Sequence, residues 1–393
     1  MSYDVIQGDC RDTMTFLADD SIDAIISDPP YGLSFMGKGW DHAVPGVEFW
    51  SEALRVAKPG AHLAAFGGTR TYHRLACAIE DAGWELRDCL MWLYGTGFPK
   101  SLDVSKAIDK TAGVEREVIG TKRTRLPGSS TTLAQDAWSQ QARELKEIPV
   151  TAPATAAAAW AGWGTALKPA WEPIILARKP LVGTVAANVL EHGTGAINIA
   201  DCRVGDSGGT KGTNYAKTGL LGIGGKADIV SIDAGRWPAN VLLDEEAAAV
   251  LDEQAGVRIS GSRAAGARKN GMGYHGAKGD GGPAIEGSSG GASRFFYVAK
   301  ASRAEREAGC EMLPQSGDVR NHHPTVKPIE LMRWLTRLLT PPNGTVLDPF
   351  TGSGSTGCAA VLEGFNFLGC ELSPEYVEIA KARIAHHAAK VAG

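Results

Sequence analysis

Two apolar runs in this chain each end on Asp-Pro. Ile22-Asp23-Ala24-Ile25-Ile26-Ser27 runs into Asp28-Pro29-Pro30-Tyr31, and Thr345-Val346-Leu347 runs into Asp348-Pro349-Phe350-Thr351-Gly352-Ser353-Gly354-Ser355-Thr356-Gly357. A proline fixes φ and has no N–H to give a neighbouring strand, so each run must stop there and turn. Short strands that stop in this way build an open α/β sheet, whose chemistry lies beyond the carboxyl ends of its strands. The first loop projects an acidic side chain, a proline carbonyl and an aromatic face together, a set suited to a flat heterocycle that carries an amino group.

The rest of the chain fits that class. Val5-Ile6 reads as a strand ending at Gly8-Asp9, followed by a helix near 11–17. A helix over 47–57 stops at Lys58-Pro59-Gly60, and 62–66 is apolar enough for a buried parallel strand closed by Gly67-Gly68. Thr69 is placed to cap a helix through Ala82, and a strand at 90–93 completes a βαβαβ pattern. Strand character returns at 173–177 and 295–298. The spacing then predicts a helix over 329–339, a strand at 345–347, a helix after Gly354, a strand at 365–370 and a last helix from Pro374.

With 393 residues, 44% of them hydrophobic and 21% charged, the chain is an ordinary globular one that can bury a large core. The start has no basic segment followed by an apolar one, and no run approaches the roughly 18 apolar residues of a membrane span, so no membrane partner and a cytoplasmic location are expected. Seven scattered cysteines without a Cys/His cluster give no metal site and no disulfide framework. The net charge of −4 means that affinity for nucleic acid must come from a local patch. From Arg258 to Lys300 seven Arg or Lys stand against two acids, among twelve glycines between Gly256 and Gly291 that mark loops.

In the second loop the glycines let a ligand approach the backbone at a helix N-terminus. Gly352, Gly354 and Gly357 spell GxGxxG, and Glu371 at the next strand's end is spaced to accept from a ribose, so a dinucleotide is one reading. An acidic residue at the head of the loop argues against it, since Asp348 would repel a pyrophosphate and could instead accept from an ammonium group. A cofactor with amino-acid and ribose parts fits better.

The Asp-Pro-Pro-Tyr loop followed late in the chain by Asp-Pro-Phe-Thr-Gly-Ser-Gly resembles the β class of amino-group DNA methyltransferases, N6-adenine or N4-cytosine. In that class the catalytic loop comes first and the cofactor loop last. Gly8-Asp9-Cys10 looks like the family's adenine-contacting turn, and Asn321-His322-His323-Pro324-Thr325-Val326-Lys327-Pro328 like the segment before the cofactor loop. Arg70 to Arg74, Gly97-Phe98-Pro99-Lys100 and Thr165 to Pro169 are similar to a prophage-borne, site-specific branch.

The resemblance implies a Rossmann-like S-adenosylmethionine-dependent fold: a mostly parallel seven-stranded sheet with helices on both faces. The resemblance covers roughly 3–93 and 294–385; with the loss of periodicity between them, the chain is expected to divide into a catalytic half at 1–103, a mobile DNA-contacting insertion at 104–165, a return to the sheet at 166–192, a Gly-rich basic target-recognition region at 193–293, and a cofactor-binding half at 294–393. The implied activity is methyl transfer from S-adenosylmethionine to N6 of an adenine flipped from duplex DNA. N4 of cytosine is the alternative, and a nicotinamide-dependent oxidoreductase a remote one.

Catalysis falls to Asp28, Pro29, Pro30 and Tyr31. Cofactor binding falls to Asp9 and Cys10 at the adenine, Glu371 with Leu372 at the ribose, Thr325 and Lys327 at the carboxylate, and Asp348, Phe350, Gly352, Ser353 and Gly354 at the methionine. Arg263, Arg268, Lys269, Lys278, Lys122, Arg123 and Arg125 are expected on DNA. A second copy of the chain and a cognate restriction enzyme are partners consistent with the family. Asp9 is equally suited to cap the helix after it, and Trp40 to be a lid aromatic or a core anchor.

Overall fold

A computed structural model describes residues 1–33, 41–95, 97, 99, 101–125, 145–154, 156–205, 210–213, 228–231, 234–259, 288–300, 304–315 and 319–392. Contacts divide the chain into two compact units, Met1–Gly95 with Trp171–Gly393, and Thr96–Ala170. Arg263, Arg268, Lys269, Lys278 and Trp40 lie outside the described residues.

The larger unit is built on a nine-stranded sheet. Its strands in chain order are β1 (Tyr3–Gln7), β2 (Ile22–Ser27), β3 (Ala57–Phe66), β4 (Glu85–Leu93), β5 (Trp171–Arg178), β6 (Val241–Asp244), β7 (Tyr297–Ala299), β8 (Thr345–Asp348) and β9 (Asn366–Glu371). Across the sheet they run β1-β9-β8-β2-β3-β5-β4-β6-β7. All pairings are parallel except those of β5, which runs antiparallel to β3 and β4. The expected class stands, and the strand count rises to nine because β6 and β7 extend the edge beyond β4.

Both faces of the sheet are covered, and the strands record it with a period of two. Ala24, Ile26, Ala64, Phe66, Ile174, Leu176 and Val346 join the core under helices Ile329–Leu339, Ser355–Leu362 and Pro374–Ala392. Ile25, Leu63, Ala65, Ile175, Ala177 and Leu347 join the opposite core with helices Val47–Val56 and Tyr72–Asp81. No helix among the described residues is long and apolar enough to cross a membrane.

Two local expectations are corrected. The strand expected at 62–66 begins at Ala57, so Pro59 and Gly60 lie inside it. Pro59 is tolerated because the register with β2 shifts between Ile22 and Ala24, and its carbonyl accepts from Asn188 Nδ2 at 2.8 Å. The cap expected at Thr69 is taken by Thr71, whose side chain makes no capping bond. Its hydroxyl donates instead to the Tyr31 carbonyl at 2.7 Å.

In the smaller unit Asp103 caps the helix Val104–Thr111, and strands Val118–Arg125 and Leu145–Thr151 form an antiparallel hairpin. Lys122 is exposed on that hairpin, which also carries Arg123 and Arg125.

Candidate active site

The two Asp-Pro loops meet because β2 and β8 are neighbours, with Ala24 opposite Val346 and Ile25 opposite Leu347. From β8 the chain passes to β9 on one side, and from β2 to β3 on the other. The connections therefore diverge at this pair, the switch point where open α/β sheets hold ligands.

Ser27, at the end of β2, donates its hydroxyl to Asp348 Oδ1 at 2.5 Å, and Thr356 donates to Oδ2 at 2.6 Å. The Phe350 N–H adds a third bond at 3.1 Å. Burial pushes the Asp348 carboxyl up to about 6, against the lowering pull of these donors. Asp348, expected to face the methionine end of a ligand, spends its oxygens on joining the two loops.

Gly352 and Gly354 adopt φ of +52° and +79°. A Cβ at Gly352 would stand 2.9 Å from His323 Nε2, and one at Gly354 2.9 Å from Ala380 Cα. Glycine is thus required twice, by backbone conformation and by close packing. Phe350 packs on Phe49 and Trp50, with ring centroids 5.7 and 6.1 Å away, which ties the loop to helix Val47–Val56. Beneath the loop the fully buried Arg383 donates to the Ser353 carbonyl at 2.5 Å.

Glu371, at the end of β9, accepts from the Gly352 N–H and the Ser373 N–H, each at 2.8 Å. Burial holds its carboxyl above the ordinary range. Because Gln7 pairs with Glu371, the turn at Gly8-Asp9-Cys10 lies beside it. There Asp9 caps helix Cys10–Met14 through the Arg11 N–H at 2.9 Å and pairs with the Arg11 guanidinium at 2.7 Å, while Cys10 is buried. Leu372 is exposed.

At the Asp-Pro-Pro-Tyr loop, Asp28 Oδ1 lies 2.8 Å from the Tyr31 hydroxyl, and Oδ2 accepts from Lys327 Nζ at 2.6 Å. Pro29 is buried and Pro30 half-buried. The Tyr31 hydroxyl is also 3.1 Å from Glu172 Oε2, and its one proton can serve only one carboxylate at a time. Burial, then the charges of Asp28 and Glu172, raise the Tyr31 phenol well above its ordinary value.

Lys327 is buried over the faces of Phe66 and Tyr31, 4.9 and 5.4 Å from their centroids. Burial works against its charge, but Asp28 and Glu172 outweigh it and hold its pKa above the ordinary lysine value. The resemblance puts Lys327 at the cofactor's carboxylate; its ammonium instead sits on the Asp-Pro-Pro-Tyr loop. Thr325 turns its carbonyl to His323 Nδ1 at 2.5 Å.

No motif in the sequence singles out Glu172. β5 runs antiparallel to its neighbours, so its first residues lie at their carboxyl ends, and Glu172, second in the strand, arrives at the site. The sequence signal is an acid directly before the apolar run Pro173-Ile174-Ile175-Leu176.

The model of the N6/N4 DNA methylase family matches residues 22–382. This chain belongs to that family. Membership removes the dinucleotide reading of the glycine spacing. The type II methyltransferase M2.MboI of Moraxella bovis is 43% identical over 61 residues, 16% of this chain and 22% of the relative. The DNA adenine methyltransferase YhdJ of Escherichia coli (strain K12) is 36% identical over 76 residues, 19% of this chain and 26% of the relative. The chain thus spans about a quarter of the curated relatives it matches. The solved PvuII DNA methyltransferase (cytosine-N4-specific) is 14% identical with a TM-score of 0.45, over 98% of this chain and 86% of that one.

Proposed function

We propose that the protein transfers a methyl group from S-adenosylmethionine to N6 of an adenine in duplex DNA. The observation that carries this reading is the Asp28 carboxylate, fixed at the end of β2 one strand away from the glycine loop that follows β8.

The residues around the glycine loop suit the cofactor. Glu371 keeps lone pairs for ribose hydroxyls beyond its two backbone bonds, the Gly8-Asp9-Cys10 turn beside it would border the adenine, and Gly352 and Gly354 keep side chains off the backbone. When bound, S-adenosylmethionine supplies an electrophilic methyl group on a sulfonium.

The exocyclic amine of adenine is a poor nucleophile because its lone pair is delocalised into the ring. Asp28 would accept one N–H and the Pro29 carbonyl the other, drawing the nitrogen towards a pyramidal form that aims its lone pair at the methyl group. Asp28, Glu172 and Lys327 together carry a net negative charge, which favours the positive charge that develops on the nitrogen. This is positioning and electrostatics, with no covalent enzyme intermediate. The base must leave the duplex to reach Asp28, at a cost of a few kcal/mol, and the Tyr31 ring offers it a stacking face.

Asp rather than serine at position 28 supports adenine over cytosine. Mass spectrometry of nucleosides from treated, unmodified DNA should find N6-methyladenine; N4-methylcytosine alone would overturn the choice of base. The basic Gly-rich segment is the proposed DNA contact. Neutralising Arg263, Arg268 and Lys269 should reduce the slope of log affinity against log salt by about one unit for each phosphate that is no longer neutralised. An unchanged slope would remove the segment from the interface.

A further inference from the structure

We propose that Glu172 is a positioning residue for methyl transfer: it draws the Lys327 ammonium off Asp28 when the target amine arrives. The proposal rests on Asp28 as the amine's acceptor.

The geometry sets a conflict and its resolution side by side. Asp28 Oδ2 takes Lys327 Nζ at 2.6 Å, and Oδ1 faces the Tyr31 hydroxyl at 2.8 Å. An amine N–H directed at this carboxylate must compete with a full ammonium, a far stronger donor. Lys327 is buried, so it cannot retreat to water without losing its packing on Phe66. Glu172 Oε2 lies 3.4 Å from the same Nζ and 3.1 Å from the Tyr31 hydroxyl.

A small rotation of the lysine end transfers its shortest bond from Asp28 to Glu172. The Tyr31 hydroxyl keeps its 2.8 Å bond to Asp28 Oδ1, so neither carboxylate is stranded. Glu172 also fixes the charge balance. With both carboxylates the cluster stays one unit negative as the nitrogen becomes positive; without Glu172, Lys327 would cancel Asp28 outright. Glu172 acts only through Lys327 and Tyr31, and bonds no reacting atom.

Steady-state methyl transfer to unmodified duplex DNA should be compared for wild type, E172Q, E172D, K327M, E172Q/K327M and D28A, with S-adenosylhomocysteine affinity measured by calorimetry. The expected result for E172Q is a kcat lower by about tenfold or more, with the affinity for S-adenosylhomocysteine held within about twofold. E172D, which keeps the charge, should retain more activity than E172Q. E172Q/K327M should be faster than E172Q, because the competing cation is gone. A merely structural glutamate would give the opposite sign, the two defects adding.

If D28A is inactive but the double variant is no faster than E172Q, the role of Glu172 is overturned and the Asp28 reading stands. D28A turnover near the wild-type rate would overturn the Asp28 reading itself.

Discussion

At position 354 a side chain has no room. The backbone stands at φ +79°, and a Cβ would meet the Ala380 backbone at 2.9 Å, so the helix Pro374–Ala392 and the glycine loop cannot both hold their places. Gly354→Ala should destabilise the fold by about 1–3 kcal/mol, from the strained conformation and the displaced helix together. It should also weaken S-adenosylhomocysteine binding. Thermal unfolding and calorimetry check both, and an unchanged melting temperature would contradict the packing account. The glycines of this loop were legible in the sequence because their backbone demand is local; the role of Asp348 was not, since Ser27, which it joins, lies 321 residues away. The partners of Asp28 were not: Lys327 lies 299 residues away and meets it only once β2 and β8 are paired.

Among elements, β5 delivers what the local pattern hides. The sequence announced its apolar run but not its direction, and direction alone decides whether Glu172 faces the site or the far edge. The alternating βα pattern at both ends of the chain was readable for the opposite reason, since parallel strands buried on both faces are apolar throughout. Helix Tyr72–Asp81 shows a side chain diverted from a local to a distant role. Thr71 stands at its N-cap but spends its hydroxyl on the Tyr31 carbonyl. Thr71→Val should cost only about 1 kcal/mol of stability, the bond to Tyr31 and no capping bond, and lower kcat by about tenfold through a loosened Asp-Pro-Pro-Tyr loop. A large fall in melting temperature with kcat intact would show that the threonine serves the helix instead.

Among the described residues, three separate burial sites make the fold sensitive to acid. Burial drives His62 in β3, His323 before helix Ile329–Leu339 and His387 in the last helix each down to about 4. A depressed histidine is neutral in the fold and takes up a proton on unfolding, so its contribution is present above its ordinary value of 6.5 and lost as pH falls through 4. Asp348 has the reverse sign: its carboxyl is raised to about 6, and its contribution is lost as pH rises through that value. Replacing His62 with glutamine should flatten the decline in melting temperature between pH 6.5 and 4; parallel curves for the two proteins would contradict it. The basic segment lies in a stretch of sequence where twelve glycines between Gly256 and Gly291 leave no hydrophobic period to read.

In the proposed reaction Asp28 directs the amine of an adenine at the methyl donor. Single-turnover transfer of tritiated methyl from S-adenosylmethionine to unmodified duplex DNA, with nucleosides separated afterwards, tests it in wild type and D28A. Label in N6-methyladenine is expected for the wild type, and a fall in transfer of about a hundredfold or more in D28A with S-adenosylhomocysteine binding retained. Near wild-type turnover in D28A, or label confined to N4-methylcytosine, would contradict it.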